Sequence, residues 1–277
     1  MRHMFRLNRG SNGFTIVELL ISIAVFGIVV AGITLAYQAQ LRSYYTQREM
    51  VDMQQNLRAA TYLMTRELKL AGLDPTGKAG ADITVADAHT ISFSMDFTGG
   101  LSDGVDNDKD GVVDEGGDGV DNNVNGLIDE PDEAEWYNES TADPNEQITY
   151  NLSNDGNGNG LNDGLVTENN TGAACHLLRN GQPMASSIDA LNFVYLDGNG
   201  AVIGTPVADT STIRSVQISL VARTGAGASA FGISYQDTQS YSNQRPGAPE
   251  VILPVQNDNF RRIPMTVEVK CRNMGLE

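Results

Sequence analysis

The sequence predicts an α+β protein: a long N-terminal helix packed on an antiparallel sheet, with an acidic segment inserted into the sheet region. Three observations carry that prediction. An apolar run over residues 14–37 continues into an amphipathic helical stripe, several alternating segments follow it, and a repeat of period 15 lies inside an acid-rich stretch.

The helix comes first. A short leader with Arg2, Arg6 and Arg9 precedes 24 residues whose only charged side chain is Glu18. About 20 apolar residues suffice to cross a bilayer, so residues 14–41 are expected to be the membrane-spanning half of the helix. A secretory signal would end in a small-x-small cleavage site after a shorter apolar core. Here Gly13 stands in front of the run, and cleavage before it fits better. The helical pattern then continues through Met50, Met53, Leu57, Ala60, Met64, Leu68 and Ala71, spaced three or four apart as one core-facing stripe. Gly72 and Pro75 end it, so a helix is expected over residues 14–71.

The strands follow. Residues 90–97, 147–152 and 188–196 alternate as half-buried strands do, and residues 213–221 and 263–269 supply two more. Asp197-Gly198-Asn199-Gly200 has the composition of a hairpin turn. Residues 222–254, rich in Gly, Ser, Asn, Gln and Pro, are expected to be a long loop.

Charge is distributed unevenly. The 277 residues carry 18 Lys and Arg against 35 Asp and Glu, a net charge of −17. Residues 101–163 hold 18 of those acids and one base, Lys109, whereas the rest of the chain has 17 of each sign. This balance argues against a nucleic-acid binder, whose affinity comes from basic groups on phosphates. The acidity is therefore a local device. With 2 cysteines and 19% charged residues, a disulfide-rich mini-protein and a heptad-dominated coiled coil are both excluded.

Gly13-Phe14-Thr15-Ile16-Val17-Glu18, behind a basic leader and before an unbroken apolar helix, resembles the cleavage and methylation motif of type IV prepilins and type II secretion pseudopilins. The resemblance implies that a prepilin peptidase cuts between Gly13 and Phe14, removing residues 1–13, and methylates the Phe14 amine. It implies that Glu18, the fifth residue of the processed chain, meets the Phe14 amine of a neighbouring subunit. A carboxylate in a membrane helix costs about 2.5–3.5 kcal/mol even on lenient scales, so such a group is expected to be paired and functional. Thr15 and Glu18 also fit a T-x-x-E capping box, and the two roles are compatible. Residues 66–72 (RELKLAG), 191–197 (LNFVYLD), Arg261-Arg262-Ile263 and Arg272-Asn273 are similar to PilW-type minor pilins, with the J-type pseudopilin of type II secretion as nearest relative.

The acidic insert contains its own signal. Residues 103–115, DGVDNDKDGVVDE, and 118–130, DGVDNNVNGLIDE, share eight of 13 positions. Oxygen-bearing side chains fall at loop positions 1, 3, 5 and 9 around a glycine: Asp106, Asp108, Asp110 and Asp114, then Asp121, Asn123, Asn125 and Asp129. Backbone carbonyls at Val112 and Leu127 would complete the oxygen shell that Ca²⁺ takes. The position that should carry a bidentate Glu is Gly117 in one loop and Asp132 in the other, so Asp118 and Asp132 are counted among the candidate ligands. No helices flank the loops, and the repeat looks more like thrombospondin type 3 calcium loops than a sensor EF-hand. Asp155, Asn157, Asn159 and Asp163 form a weaker third copy. Solvated disorder and simple Asn-Gly turns are the competing readings, and neither requires a repeat with aliphatic pairs at Val112-Val113 and Leu127-Ile128.

Cys175 and Cys271 could pair as a disulfide in an oxidising periplasm, with two buried free thiols as the competing reading. No phosphate loop, nucleophile elbow or triad is legible, so catalysis has no support. The domains expected are a leader (1–13), a membrane or filament-core helix half (14–41) and a periplasmic globular domain (42–277) carrying the insert. The function expected is that of a minor pilin of a type IV pilus, with structural Ca²⁺. Its implied partners are other pilins, the prepilin peptidase, the inner-membrane assembly platform and a tip adhesin. The alternatives are a type II secretion pseudopilin and a membrane-tethered, calcium-dependent binding module.

Overall fold

The computed structural model describes residues 13–74, 79–96, 141, 146–153, 155, 160–161 and 175–274. The chain divides after Arg48 into an N-terminal unit and a larger one of residues 49–277.

Helix α1 spans Ile16–Leu68. In the N-terminal unit its apolar side chains are exposed, Leu41 only in part. In the larger unit Met53, Leu57, Ala60, Met64 and Leu68 are buried, as the three-and-four spacing predicts, and each buried aliphatic of this size contributes about 1.5–3 kcal/mol. The helix ends three residues before the expected Ala71 because its last turn tightens, with Leu70 N–H donating to Glu67 O at 2.9 Å. Gly72 then takes φ +72° and donates its N–H to Ser94 O at 3.0 Å, which turns the chain off the helix and onto the sheet.

Two larger sheets stand where one was expected. Strands β1 (Ile83–Ala86), β2 (Ile91–Ser94), β3 (Gln147–Leu152), β4 (His176–Arg179) and β5 (Gln182–Ser186) form a five-stranded antiparallel sheet in chain order. Strands β6 (Ile188–Leu196), β7 (Val202–Ile203), β8 (Ser215–Arg223) and, after two further short strands, β11 (Arg262–Lys270) form a second sheet in the order β11-β8-β6-β7. The 197–200 turn joins β6 to β7 as predicted, with Asp197 Oδ1 accepting from the N–H groups of Asn199 and Ala201. β1, β4 and β5 went unpredicted because strands of four or five residues leave too little alternation to read.

The acidic segment enters between partners. β2 and β3 pair directly, Ile91 with Tyr150 and Phe93 with Ile148, and Met95 N–H donates to Glu146 O at 3.0 Å just outside the ladder. Residues 95–146 therefore connect two directly paired antiparallel strands, where a short hairpin turn would otherwise suffice.

The expected loop over residues 222–254 is corrected. It carries β9 (Tyr241–Ser242) and β10 (Val251–Leu253), which pair with each other, and Tyr241 and Leu253 pack on Ala190 and Val221 as a second small core. This flap covers the face of β6 and β8 that α1 does not, so all nine residues of each strand are buried. Alternation gave no warning, because a strand covered on both faces need not alternate.

The disulfide reading is also corrected. Cys175 and Cys271 are free, buried thiols. Cys175 O accepts from Ile188 N–H at one end of β6, whereas Cys271 N–H donates to Arg214 O, and Arg214 N–H in turn donates to Leu196 O at the other end. Eight strand steps separate Ile188 from Leu196, about 26 Å, against the roughly 7 Å that a disulfide tolerates between Cα atoms. Burial pushes the Cys271 thiol up to about 12, which keeps it protonated and inert.

Candidate functional site

The candidate processing site is the start of α1. Gly13 and Phe14 carry no regular secondary structure ahead of the first helical residue, Ile16, and Phe14 is 87% exposed. A Cβ added at Gly13 would meet nothing within 4 Å. Folding of this chain therefore places no demand for glycine there, and a reason for glycine must come from whatever handles the peptide bond that follows.

Glu18 sits in the first helical turn, and the capping box is formed. Its Oε2 accepts from Thr15 N–H at 2.9 Å and from Thr15 Oγ1 at 3.0 Å, while Glu18 N–H donates to Thr15 Oγ1 at 3.2 Å. Both carboxylate bonds fall on Oε2, so Oε1 still points out from an exposed surface. Around it lie Ile16, Val17, Leu19, Leu20 and Ile21, each more than half exposed. The helix is long and apolar enough to cross a membrane, with a mean hydropathy of 2.7 over its most apolar window. No Lys or Arg occurs between residues 13 and 41, so the described helix surface around Glu18 carries no cation.

The principal calcium candidates, Asp106, Asp108, Asp110, Val112, Asp114, Asp118, Asp121, Asn123, Asn125, Leu127, Asp129 and Asp132, lie outside the described residues, as do Asn157, Asn159 and Asp163 of the third copy. Asp155 is described. Its Oδ2 accepts from Gly160 N–H at 2.7 Å, a bond between loop positions 1 and 6 of that copy. Gly160 has φ +73°, its carbonyl accepts from Leu191 N–H, and Leu161 bridges Ala190, so the loop end is fastened to β6. Only glycine fits, because a Cβ would come within 2.1 Å of His89 Cδ2 and 2.4 Å of Leu191 O. Among the described residues no group of three or more His, Cys, Asp and Glu is arranged to hold a metal ion.

Two ionic clusters were not foreseen. Arg262 has a fully buried guanidinium that donates to Asp189 Oδ2 (2.7 Å), Asp237 Oδ2 (2.9 Å) and Asp258 (2.6 and 2.5 Å). Desolvation works against its charge, but Asp258, Asp189 and Asp237 more than offset that and hold its pKa above the ordinary value. Arg223 approaches Asp189 Oδ1 at 3.5 Å and lies over the Phe260 ring. This cluster latches the flap onto β6 and β8. The second cluster joins α1 to the first sheet, with Tyr150 hydroxyl and Arg179 Nε both donating to Glu67. One signal was available: Asp189 is a lone acid in an otherwise apolar strand, and a buried acid implies a buried base.

The sequence profile of the prokaryotic N-terminal methylation motif matches residues 8–34, a stretch that includes Gly13, Phe14, Glu18 and most of the apolar run. A type IV-like pilin of Thermus thermophilus, TTHA1219, aligns with a TM-score of 0.41 and 12% identity over 79% of this chain and 95% of its own. No curated protein matches the chain. The chain thus joins a prokaryotic N-terminal methylation motif to a long apolar-to-amphipathic helix and the antiparallel sheets that follow it.

Proposed function

We propose that the chain is a minor pilin, a structural subunit cut after Gly13, methylated on Phe14 and built into the initiating or tip complex of a type IV pilus. The observation that carries this reading is Glu18: one carboxylate, half-capped by Thr15, in an exposed apolar helix surface with no Lys or Arg between residues 13 and 41. A charge so placed is stabilised when a neighbouring subunit brings the Phe14 amine to it, so assembly neutralises two groups in apolar surroundings. Gly13 supports the same reading, since nothing in the fold needs it. Before assembly the chain sits in the inner membrane through residues 14–41, with the globular domain in the periplasm.

The test is mass spectrometry of the N-terminus combined with filament incorporation of Glu18→Gln. The expected result is methyl-Phe14 in the wild type, and a variant that is processed and membrane-bound yet missing from filaments. Incorporation of the variant at wild-type levels would leave a membrane-tethered module as the better description. Finding the chain only with a secretion apparatus would make it a pseudopilin.

A second reading concerns Ca²⁺. The Asp155–Gly160 bond and the left-handed Gly160 are what a position-1 carboxylate and position-6 glycine adopt in a tight cation loop, and the two stronger copies of that pattern occupy the insert. We infer that the insert binds Ca²⁺ structurally, with Asp106, Asp108, Asp110, Asp114, Asp121, Asn123, Asn125 and Asp129 as side-chain ligands. Calorimetry should give a heat of Ca²⁺ binding that Asp110→Ala reduces; no heat in the wild type would remove the metal.

A further inference from the structure

Strand β11 is one edge of the second sheet, and its partner β8 uses only half of its backbone groups. Arg261 O accepts from Thr224 N–H at 2.9 Å and Cys271 N–H donates to Arg214 O at 3.0 Å. Between these bonds the ladder runs without a shift, from Arg262 opposite Arg223 to Lys270 opposite Ser215. Bonded and non-bonded positions alternate along an antiparallel pair. The odd-numbered residues Ile263, Met265, Val267 and Val269 therefore bond to β8, and the N–H and C=O groups of the even-numbered ones point off the edge. Pro264 falls in this outward set, where a missing N–H costs no ladder bond. Among the described residues nothing bonds to the outward backbone groups of Thr266, Glu268 and Lys270.

The two faces of the edge differ. Odd-numbered side chains lie on the α1 side: Thr61 Oγ1 is 3.2 Å from Met265 Sδ, and Ile263, Met265 and Val267 pack on the main core yet stay half-exposed. Even-numbered side chains lie on the other face, where Thr266 Oγ1 meets Ser219 Oγ. There Glu268 and Lys270 are exposed, two residues apart, and among the described residues neither forms an ion pair. Their neighbours on β8, Gln217 and Ser215, carry no charge. A nine-residue edge strand with an apolar side left half open is a template for another strand, and Pro264 blunts only its start.

We propose that residues 265–270 accept an added antiparallel strand from another protein. Main-chain bonds to the outward groups of Thr266, Glu268 and Lys270 supply affinity, and alternate side chains supply specificity. The added strand lays apolar side chains along Met265 and Val267. On its other face it carries an acid two residues before a base, which sets the base opposite Glu268 and the acid opposite Lys270. Glu268 and Lys270 of a second copy have this order too. The two-fold axis that would pair two β11 edges stands perpendicular to the sheet, however, and reverses the α1 segment packed on it. Two copies inserted in one membrane cannot meet that way. The choice of a different protein thus rests on the membrane-inserted reading above, whereas the open edge does not depend on Phe14 or Glu18.

The experiment titrates the full chain, in non-ionic detergent, into fluorescein-labelled peptides TVTVEVKVTV and TVTVKVEVTV. The first should bind at least tenfold more tightly, since the second sets like charges opposite both Glu268 and Lys270. E268K/K270E should invert that preference with an unchanged melting temperature. Hydrogen exchange should slow at the amides of Thr266, Glu268 and Lys270 when the first peptide binds, and stay as it was at Met265 and Val267. Equal binding of both peptides, a preference that survives E268K/K270E, or no binding of either up to about 1 mM would overturn the proposal. Self-association of the peptide-free chain that E268K abolishes would give the edge to a second copy and overturn the choice of partner. Phe14 processing is read separately, so an unmethylated N-terminus beside charge-selective peptide binding would sink the pilin reading and leave the edge standing.

Discussion

Replacing Arg262 with Met tests the latch between the flap and the second sheet. The change keeps most of the side-chain volume and removes the guanidinium to which Asp189, Asp237 and Asp258 are bonded. Asp189 and Asp237 are 0% and 1% exposed and cannot turn to water, whereas Asp258 is 27% exposed and can. Stranding a buried partner typically costs about 3–5 kcal/mol, against a few tenths for an exposed pair. Urea unfolding of the full chain in detergent should therefore show R262M less stable by about 3–5 kcal/mol at pH 7, with D258N costing about 1 kcal/mol. Hydrogen exchange should rise in residues 237–258 before it rises in β2 or β3. The deficit has a pH sign. Burial pushes the Asp189 carboxyl up even with Arg223 and Arg262 beside it. Without Arg262 it rises further, so the folded variant binds more protons than the unfolded chain and regains stability as pH falls through the folded value. A penalty under about 1 kcal/mol, or one that grows on acidification, would show that the latch is not electrostatic.

Three further outcomes follow from particular contacts. Gly160→Ala should destabilise by about 2 kcal/mol or more, because φ +73° is unfavourable for a Cβ that would also strike His89 and Leu191 O; proteolysis near residue 160 reports it. Both thiols should resist maleimide in the folded protein and react as two equivalents in denaturant; one equivalent or none would point to a disulfide. Cys271, held protonated up to about 12, should also cost the fold stability as pH rises above its ordinary value of 9.0. The loss is about 1.4 kcal/mol per unit, and Cys271→Ala should remove it. Leu57→Ala should cost about 3–5 kcal/mol and Tyr62→Ala under about 0.5 kcal/mol in thermal unfolding, since one is fully buried and the other 71% exposed on the same helix.

Much of the candidate site was legible early because it is written in local order. Glycine, phenylalanine, a fifth-position glutamate and a long apolar run are contiguous, and the capping box between Thr15 and Glu18 needs only a three-residue spacing. The core stripe from Met50 to Ala71 was legible for the same reason, as were β3 and β6, whose bounds match expectation. The flap was not. Tyr241 lies among polar neighbours and Leu253 ends an apolar run of only three residues, and what makes them core is the face of β6 and β8 that they cover. The ion latch was hidden likewise, since Asp189, Asp237, Asp258 and Arg262 are scattered over more than 70 residues.

Local spacing was enough to establish the methylation motif, the two-part character of α1 and the period-15 acidic repeat, because each depends on neighbours within about two helical turns or one loop. Tertiary structure alone decided which surfaces are covered. It split the strands into two main sheets, folded a polar loop into a covering flap latched by Arg262, and set Cys175 and Cys271 at opposite ends of β6. Burial and long-range pairing are properties of residues brought together from far apart in the chain, and no local pattern encodes which of them will meet.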